Sequence, residues 1–226
     1  MQMLRLPAYH AITYLCPVTA KDRSKKMSRN SLQDFVEKVG AEWGPLTSDL
    51  VARCRAGLED LLETPATEKW LKKLQDDLPE SRELHRNPVH GFMLLAHAES
   101  QGRFRAPHDH GRGWVIYAVQ QGEMEVRTYV RICDPDGTVR LVQRKSCLVR
   151  PGQAKVYLPG DIHDTRCTAG PVLYYRFTDR DLKKEEREGH GMTRYVDRQG
   201  IWTVQPGDAQ AAVSAPVRPT SAAIGL

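Results

Sequence analysis

Between Phe92 and Phe177 the chain is a succession of short apolar runs: FMLLAHA, WVIYAV, EMEVRTYVRI, TVRLVQ, KVYL and VLYYRF. Each is rich in β-branched and aromatic residues and bounded by Gly, Pro or Asp. Runs of this length suit strands rather than helices, and DPDG (Asp134–Gly137) is a strong turn signal. Several short strands at close spacing predict an antiparallel sandwich or barrel.

The chain ahead of them has a different period. In SLQDFVEKVG, Leu32, Phe35, Val36 and Val39 share one helical face, with Ser31 as expected N-cap, Asp34 three residues on and Gly40 as expected stop. A second stripe, Leu50, Val51, Cys54, Leu58, Leu61 and Leu62, follows the capping signal TSD and is broken by Pro65. Trp70, Leu71, Leu74 and Leu78 form a third, ending at Pro79. These stripes are read as core packing. After Asp179 the stretch DRDLKKEEREGHG reads as a solvated charged segment, and the last residues as a loose tail or a strap. The expected organisation is a helical segment over 1–85, a β core over 86–180, and a charged segment and tail over 181–226.

Composition excludes several classes. The formal charge of +5 among 226 residues is too small, without a basic stripe interleaved with aromatics, to suggest nucleic acid. No run of roughly 18 apolar residues suggests a membrane span. The first residues show no secretory signal pattern, so a cytoplasmic location is the default expectation. Five cysteines, widely spaced and without a CxxC pair, argue against a disulfide framework or zinc ribbon and are read mostly as reduced, buried thiols.

The chemistry is concentrated in PHDH, Pro107 to His110, which lies between Gly102 and an apolar strand. Side chains at i and i+2 of an extended segment share a face, so His108 and His110 can reach one ion together. Downstream, in YLPGDIHDTRC, a Pro-Gly turn delivers His163 at the start of another strand. These three histidines are the candidate metal ligands. Strand parity also places Tyr117 and Val119 with Val115, and Thr165 and Cys167 with His163, so Tyr117 is a candidate for contact with substrate near the metal. Cys167 is read as a small core filler, Trp114 as a pocket wall or a packing residue, and His90 and His97 as structural. His10, His85 and His190 carry no signal.

At these residues the chain resembles the cupin superfamily. Gly102, five residues, His108, Asp109, His110, a four-residue gap, position 115, six residues and Gly122 match the first cupin motif. Pro159, Gly160 and His163 match the end of the second, with one residue fewer between Pro and Gly. The resemblance covers roughly 90 to 178 and implies a mainly β fold, a double-stranded β-helix or jelly-roll barrel, with the helical segment as an N-terminal layer. One departure matters: Val115 stands where the family has a ligating glutamate. Three neutral imidazoles leave a divalent ion its full charge and open coordination positions, which suits an anionic substrate beside a second small ligand.

A three-histidine cupin preceded by helices looks like the cysteine dioxygenase family of thiol dioxygenases. FMLLAHAESQGRFRAPHDHGRGW carries the same order of strand, glycine loop and HDH. HRNPV (His85–Val89) resembles the segment holding that family's substrate-carboxylate arginine, which makes Arg86 the counterpart; a guanidinium can bind a carboxylate through two parallel hydrogen bonds. The resemblance implies Fe(II) as cofactor, with zinc, nickel or manganese as alternatives, and oxidation of a small thiol by O2 to a sulfinate. Two features depart from the pattern. Val115 cannot form the cysteine–tyrosine crosslink of the animal enzymes. The late strand VLYYRFTD has no histidine for their relay, leaving Tyr174, Tyr175 and Arg176 to occupy that region, with Tyr175 as the catalytic candidate.

The expected partners are therefore a small, carboxylate-bearing thiol and O2. A homodimer could form through an exposed barrel edge. Two other readings stay open: another metal-dependent cupin enzyme acting on carbon, and a non-catalytic cupin that binds a small molecule.

Overall fold

The computed structural model describes residues 30–205. Three helices come first: α1 (Ser31–Ala41), α2 (Ser48–Leu62) and α3 (Lys69–Asp77). Asn30, not Ser31, caps α1; its side chain accepts from Gln33 N at 2.9 Å while Gln33 reaches back to the Asn30 backbone. Satisfying two free N-terminal donors at once moves the cap one residue upstream. The helix also runs through Gly40, which was expected to stop it. Thr47 caps α2 as the TSD signal predicts, and Leu78 closes α3 in a left-handed conformation just before Pro79.

Seven strands follow in one antiparallel sheet system: β1 (Arg82–Arg86), β2 (Met93–Glu99), β3 (Phe104–His108), β4 (Val115–Cys133), β5 (Val139–Val149), β6 (Ala154–Tyr157) and β7 (Ile162–Thr178). Two runs expected as separate strands, WVIYAV and EMEVRTYVRI, are one strand, β4, whose pairing shifts three times between Val119 and Met124. Those irregularities bend β4 from one sheet into another, so that no turn is needed. The second half of β7 pairs with β2 and the first half of β4; its first half pairs with β3 and the second half of β4. Two long bent strands shared by two sheets make a jelly roll.

Alternation along the strands divides the interior in two. Leu94, Ala96, Ile116, Ala118, Leu173, Tyr175 and Phe177 pack under Phe35, Val36, Leu50, Leu58 and Leu61 of the helical layer. Val115, Tyr117, Val119, Cys167, Val172 and Tyr174 form a second cluster within the roll. Covering both faces explains why these strands read as continuously apolar rather than alternating. Leu58 and Leu94 are wholly enclosed, and such side chains contribute about 1.5–3 kcal/mol each.

The segment after Asp179 is more ordered than its charge suggested. It forms α4 (Leu182–Arg187) and a hairpin of β8 (Tyr195–Arg198) and β9 (Ile201–Val204), with Tyr195 buried against Tyr129 and Ile162. Glu185 turns inward to meet Arg112 at 2.9 Å, and Leu182 packs against the inner apolar cluster. The residues after 205 lie outside those described. Of the cysteines described, Cys54 and Cys167 are buried free thiols, but Cys133 is exposed and Cys147 only partly covered. Among the described residues no helix is long and apolar enough to cross a membrane.

Candidate metal centre

His108 ends β3, His110 lies in the turn beyond it, and His163 is the second residue of β7, directly opposite His108 in the β3–β7 register. One ring nitrogen from each lies within 4.8 Å of those of the other two. The ring centroids form a nearly equilateral triangle with sides of 4.9, 5.0 and 5.2 Å. Among the described residues no carboxylate joins this group. Val115, at the position of the cupin glutamate, packs into the apolar cluster instead.

The surroundings prepare these rings to act as ligands. Burial pushes all three imidazoles below their ordinary protonation range, most strongly His110 and His163, so each is neutral and keeps a lone pair. His108 Nδ1 is 2.8 Å from the Ala106 carbonyl, which fixes the proton on that nitrogen and leaves Nε2 as the donor to a metal. The His163 ring stacks on Tyr157 with centroids 4.0 Å apart. His110 Nδ1 is buried without a hydrogen-bond partner among the described residues. Convergent, neutral and incompletely satisfied, the donor set fits a divalent ion that accepts nitrogen ligands, as iron and zinc do.

Tyr117 lies against this cluster. Its hydroxyl is 3.2 Å from His110 Nε2 and 3.3 Å from His163 Nε2, so it can donate to only one of the two at a time. Burial pushes the phenol up to about 12, and it stays protonated at neutral pH. Asp109, between the two histidines, faces the other way. Its Oδ1 accepts from Gly111 N at 2.9 Å and Thr193 N at 3.1 Å, and its own N–H donates to the Thr193 carbonyl. The segment leading into β8 is thereby strapped across the His-x-His turn. Nothing local in the sequence announced this role for residues 190–194.

The structure gives two expected site residues partners other than the histidines. Arg86 lies on edge strand β1, with its guanidinium held by Glu83 at 2.8 Å and Asp181 at 2.8 Å and its side chain 44% exposed. Tyr175 projects to the opposite face of β7. Its hydroxyl donates to Gln120 at 3.0 Å and its ring packs near Trp70, under the helices. Trp114 packs with Trp43 and Phe177. The neighbours of Tyr175 on β7, Tyr174 and Arg176, one residue to either side, point to the other face, the one shared with Tyr117 and Val119.

A second polar group shares that interior. Glu99 pairs with Arg105 at 2.5 Å and accepts from the Tyr174 hydroxyl at 3.1 Å, with the Cys167 thiol 3.6 Å from its other oxygen. His97, expected to be structural, stacks on Tyr174 and meets the Glu80 carbonyl through Nδ1 at 3.1 Å. Parity with Tyr117 would have pointed to Tyr174 and Arg176 had the β4–β7 register been known. Glu99 and Arg105 carried no signal in the sequence.

No protein-family model matches the chain, and no curated protein matches it. Similar solved structures include KdgF from a Halomonas species, at 20% identity and a TM-score of 0.36 over 46% of this chain and 82% of that one. The Schizosaccharomyces pombe Cnp3 cupin domain is similar at 12% identity and a TM-score of 0.36, over 49% and 71%. Cellulomonas parahominis L-ribose isomerase with L-ribose is similar at 18% and 0.37, over 45% and 60%. Likenesses this distant carry nothing about activity, and the fold rests on the strand pairing itself. Two long bent strands close a jelly roll, and the His-x-His and Pro-Gly-x-x-His motifs meet inside it: the fold is a cupin barrel under an N-terminal helical layer.

Proposed function

We propose that this protein is a mononuclear non-haem iron oxidoreductase, a thiol dioxygenase that converts a small thiol to a sulfinate with O2. The reaction adds both oxygen atoms of O2 to sulfur and balances as RSH plus O2 giving RSO2H. The observation that carries the reading is the set of three buried, neutral imidazoles with no carboxylate among them. Fe(II) held there would supply Lewis acidity that favours the thiolate and the redox chemistry that activates dioxygen.

The remaining work belongs to the chain's own residues. His108, His110 and His163 hold the ion with neutral donors and leave its charge uncancelled. The Ala106 carbonyl and the Tyr157 ring fix two of the imidazoles in position, which limits the reorganisation needed on binding. Tyr117 keeps a neutral O–H beside two ligands, positioned to donate to a polar atom of bound substrate. The low accessibility of the cluster keeps bulk water out and strengthens electrostatic interactions inside.

The test is elemental analysis of protein purified without chelator, beside a His163→Ala variant, followed by oxygen-uptake and product-mass measurements with a panel of small thiols. About one iron per chain, lost in the variant, with a sulfinate product, is the expected result. Iron-loaded protein that consumes no O2 with any thiol overturns the reading. Oxygenation at carbon would then favour a carbon-acting cupin enzyme, and ligand-induced stabilisation without turnover a binding protein.

A further inference from the structure

The three histidines are not held alike. His108 and His163 stand opposite each other on paired strands, so the ladder between β3 and β7 sets their separation. Each ring also has its own brace, the Ala106 carbonyl for His108 and the Tyr157 ring for His163. His110 has neither support. β3 ends at His108, so no ladder places the residue two further on, and the His110 Nδ1 is buried without a hydrogen-bond partner among the described residues. An extended His-x-His segment would present both rings by itself. Here the second ring depends on whatever fixes the turn.

The fastening comes from one distant segment, residues 185–193. Asp109 is buried, and one of its oxygens, Oδ1, accepts from Gly111 N at 2.9 Å and Thr193 N at 3.1 Å. Its own N–H donates to the Thr193 carbonyl at 3.1 Å. Gly111 lies so close to the His190 and Gly191 carbonyls that a β-carbon would not fit, and Arg112 pairs with Glu185 at 2.9 Å. The residues on both sides of His110 are thus tied to this segment, while its own ring faces Tyr117 and the other two imidazoles. A buried carboxylate is retained at a cost unless its oxygens are bonded, and here the bonding joins the turn to the strap. We infer that Asp109 is a positioning residue of the metal centre: through Thr193 it clasps the turn to the strap and so sets the place of His110, the one ligand that no strand holds. It acts through His110 and is not itself a ligand. The inference rests on the metal site of the proposed function and is independent of thiol oxidation.

The experiment measures zinc binding to metal-free protein by competition with a chromophoric chelator, together with the visible spectrum of cobalt-loaded protein. The variants are Asp109→Ala, Asp109→Asn, His110→Ala and the double variant of Asp109→Ala with His110→Ala. Asp109→Ala is expected to weaken zinc about 10- to 100-fold, the usual worth of a group that orients a ligand, and to move the cobalt spectrum towards that of His110→Ala. Asp109→Asn keeps an oxygen that accepts the same two N–H bonds and should stay close to wild type. With His110 already removed, Asp109→Ala should weaken zinc no further. Coupling is reciprocal, so zinc should slow hydrogen exchange at the Thr193 amide in wild type but not in His110→Ala, an arm that needs no change at Asp109 should Asp109→Ala fail to fold. Equal losses in Asp109→Ala and Asp109→Asn make the charge responsible and overturn the assignment. Losses that add in the double variant, or Thr193 exchange indifferent to zinc, overturn it as well. Wild type that binds no zinc overturns the metal centre and this inference together. The expected zinc results with no O2 uptake from any thiol uphold Asp109 and overturn only the oxidation reading.

Discussion

Gly111, the residue after His110, offers a quantitative test of how the metal-binding turn is held. Its φ is +59°, and a β-carbon placed there would lie 2.3 Å from the His190 carbonyl oxygen and 2.5 Å from that of Gly191. Both are backbone atoms, so relief requires the 190–194 strap to move by most of an ångström. In Gly111→Ala the left-handed backbone costs about 1 kcal/mol and the overpacking about 1–3 kcal/mol, giving a destabilisation of about 3 kcal/mol. Gly102 separates the two contributions. Its φ is +83° but nothing lies within 4 Å of its would-be β-carbon, so Gly102→Ala carries the backbone cost alone, about 1 kcal/mol. Equilibrium urea unfolding of metal-free protein, followed by tryptophan fluorescence, measures both. At a slope of about 2 kcal/mol per molar, the midpoints should differ by about 1 M. If Gly111→Ala is no less stable than Gly102→Ala, the strap does not press on the turn and the argument fails. Faster hydrogen exchange at the Thr193 amide in Gly111→Ala alone would place the damage in the strap.

Three further predictions concern residues whose environments are equally defined. His97 is buried and its folded pKa is lowered from the ordinary 6.5 to about 4, first by burial and then by Arg176. A lowered folded value means that the unfolded chain binds the proton more readily, so the stability due to the neutral ring is complete above pH 6.5 and is lost as pH falls towards 4. The loss is about 3 kcal/mol, and a pH series of unfolding free energies should be shallower over that window in His97→Phe. Asp164, fully enclosed, accepts from the Tyr129 hydroxyl at 2.6 Å and pairs with Arg127 at 2.7 Å. Asp164→Ala strands both partners, and because Arg127 is partly solvated the expected loss is nearer about 3 than 5 kcal/mol, measured by urea unfolding. Tyr175→Phe should cost about 1 kcal/mol through the lost bond to Gln120 and leave oxygen-uptake kinetics unchanged, since the hydroxyl lies under the helices. A drop in kcat would return Tyr175 to the site.

Much of this architecture follows from the sequence. Short β-branched runs closed by Gly, Pro and Asp permit little besides an antiparallel β fold, because a strand needs few residues and its turns need special backbone conformations. The spacing of Gly102, His108, His110 and Gly122, and the Pro-Gly turn before His163, placed three histidines at strand ends where they could meet, and in the structure their nitrogens do. The helical stripes were equally legible, because a 3.6-residue period survives whatever the helix packs against.

What only the tertiary structure decided was phase and pairing. In VLYYRF every residue but Arg176 is apolar or aromatic, since one face of β7 lies under the helices and the other lines the roll. A strand buried on both sides does not reveal in its hydrophobicity which residues look inward, and a step of one residue exchanges Tyr175 for Tyr174 and Arg176. The register with β4, where Tyr117 meets Arg176, settled it. The partners of Arg86 were hidden for a related reason: its local motif could not show that β1 is an edge strand, or that Asp181, far along the chain, returns to hold its guanidinium. The 190–194 strap is likewise invisible in one dimension, because its bonds to Asp109 join segments more than eighty residues apart and depend on backbone groups that every residue carries.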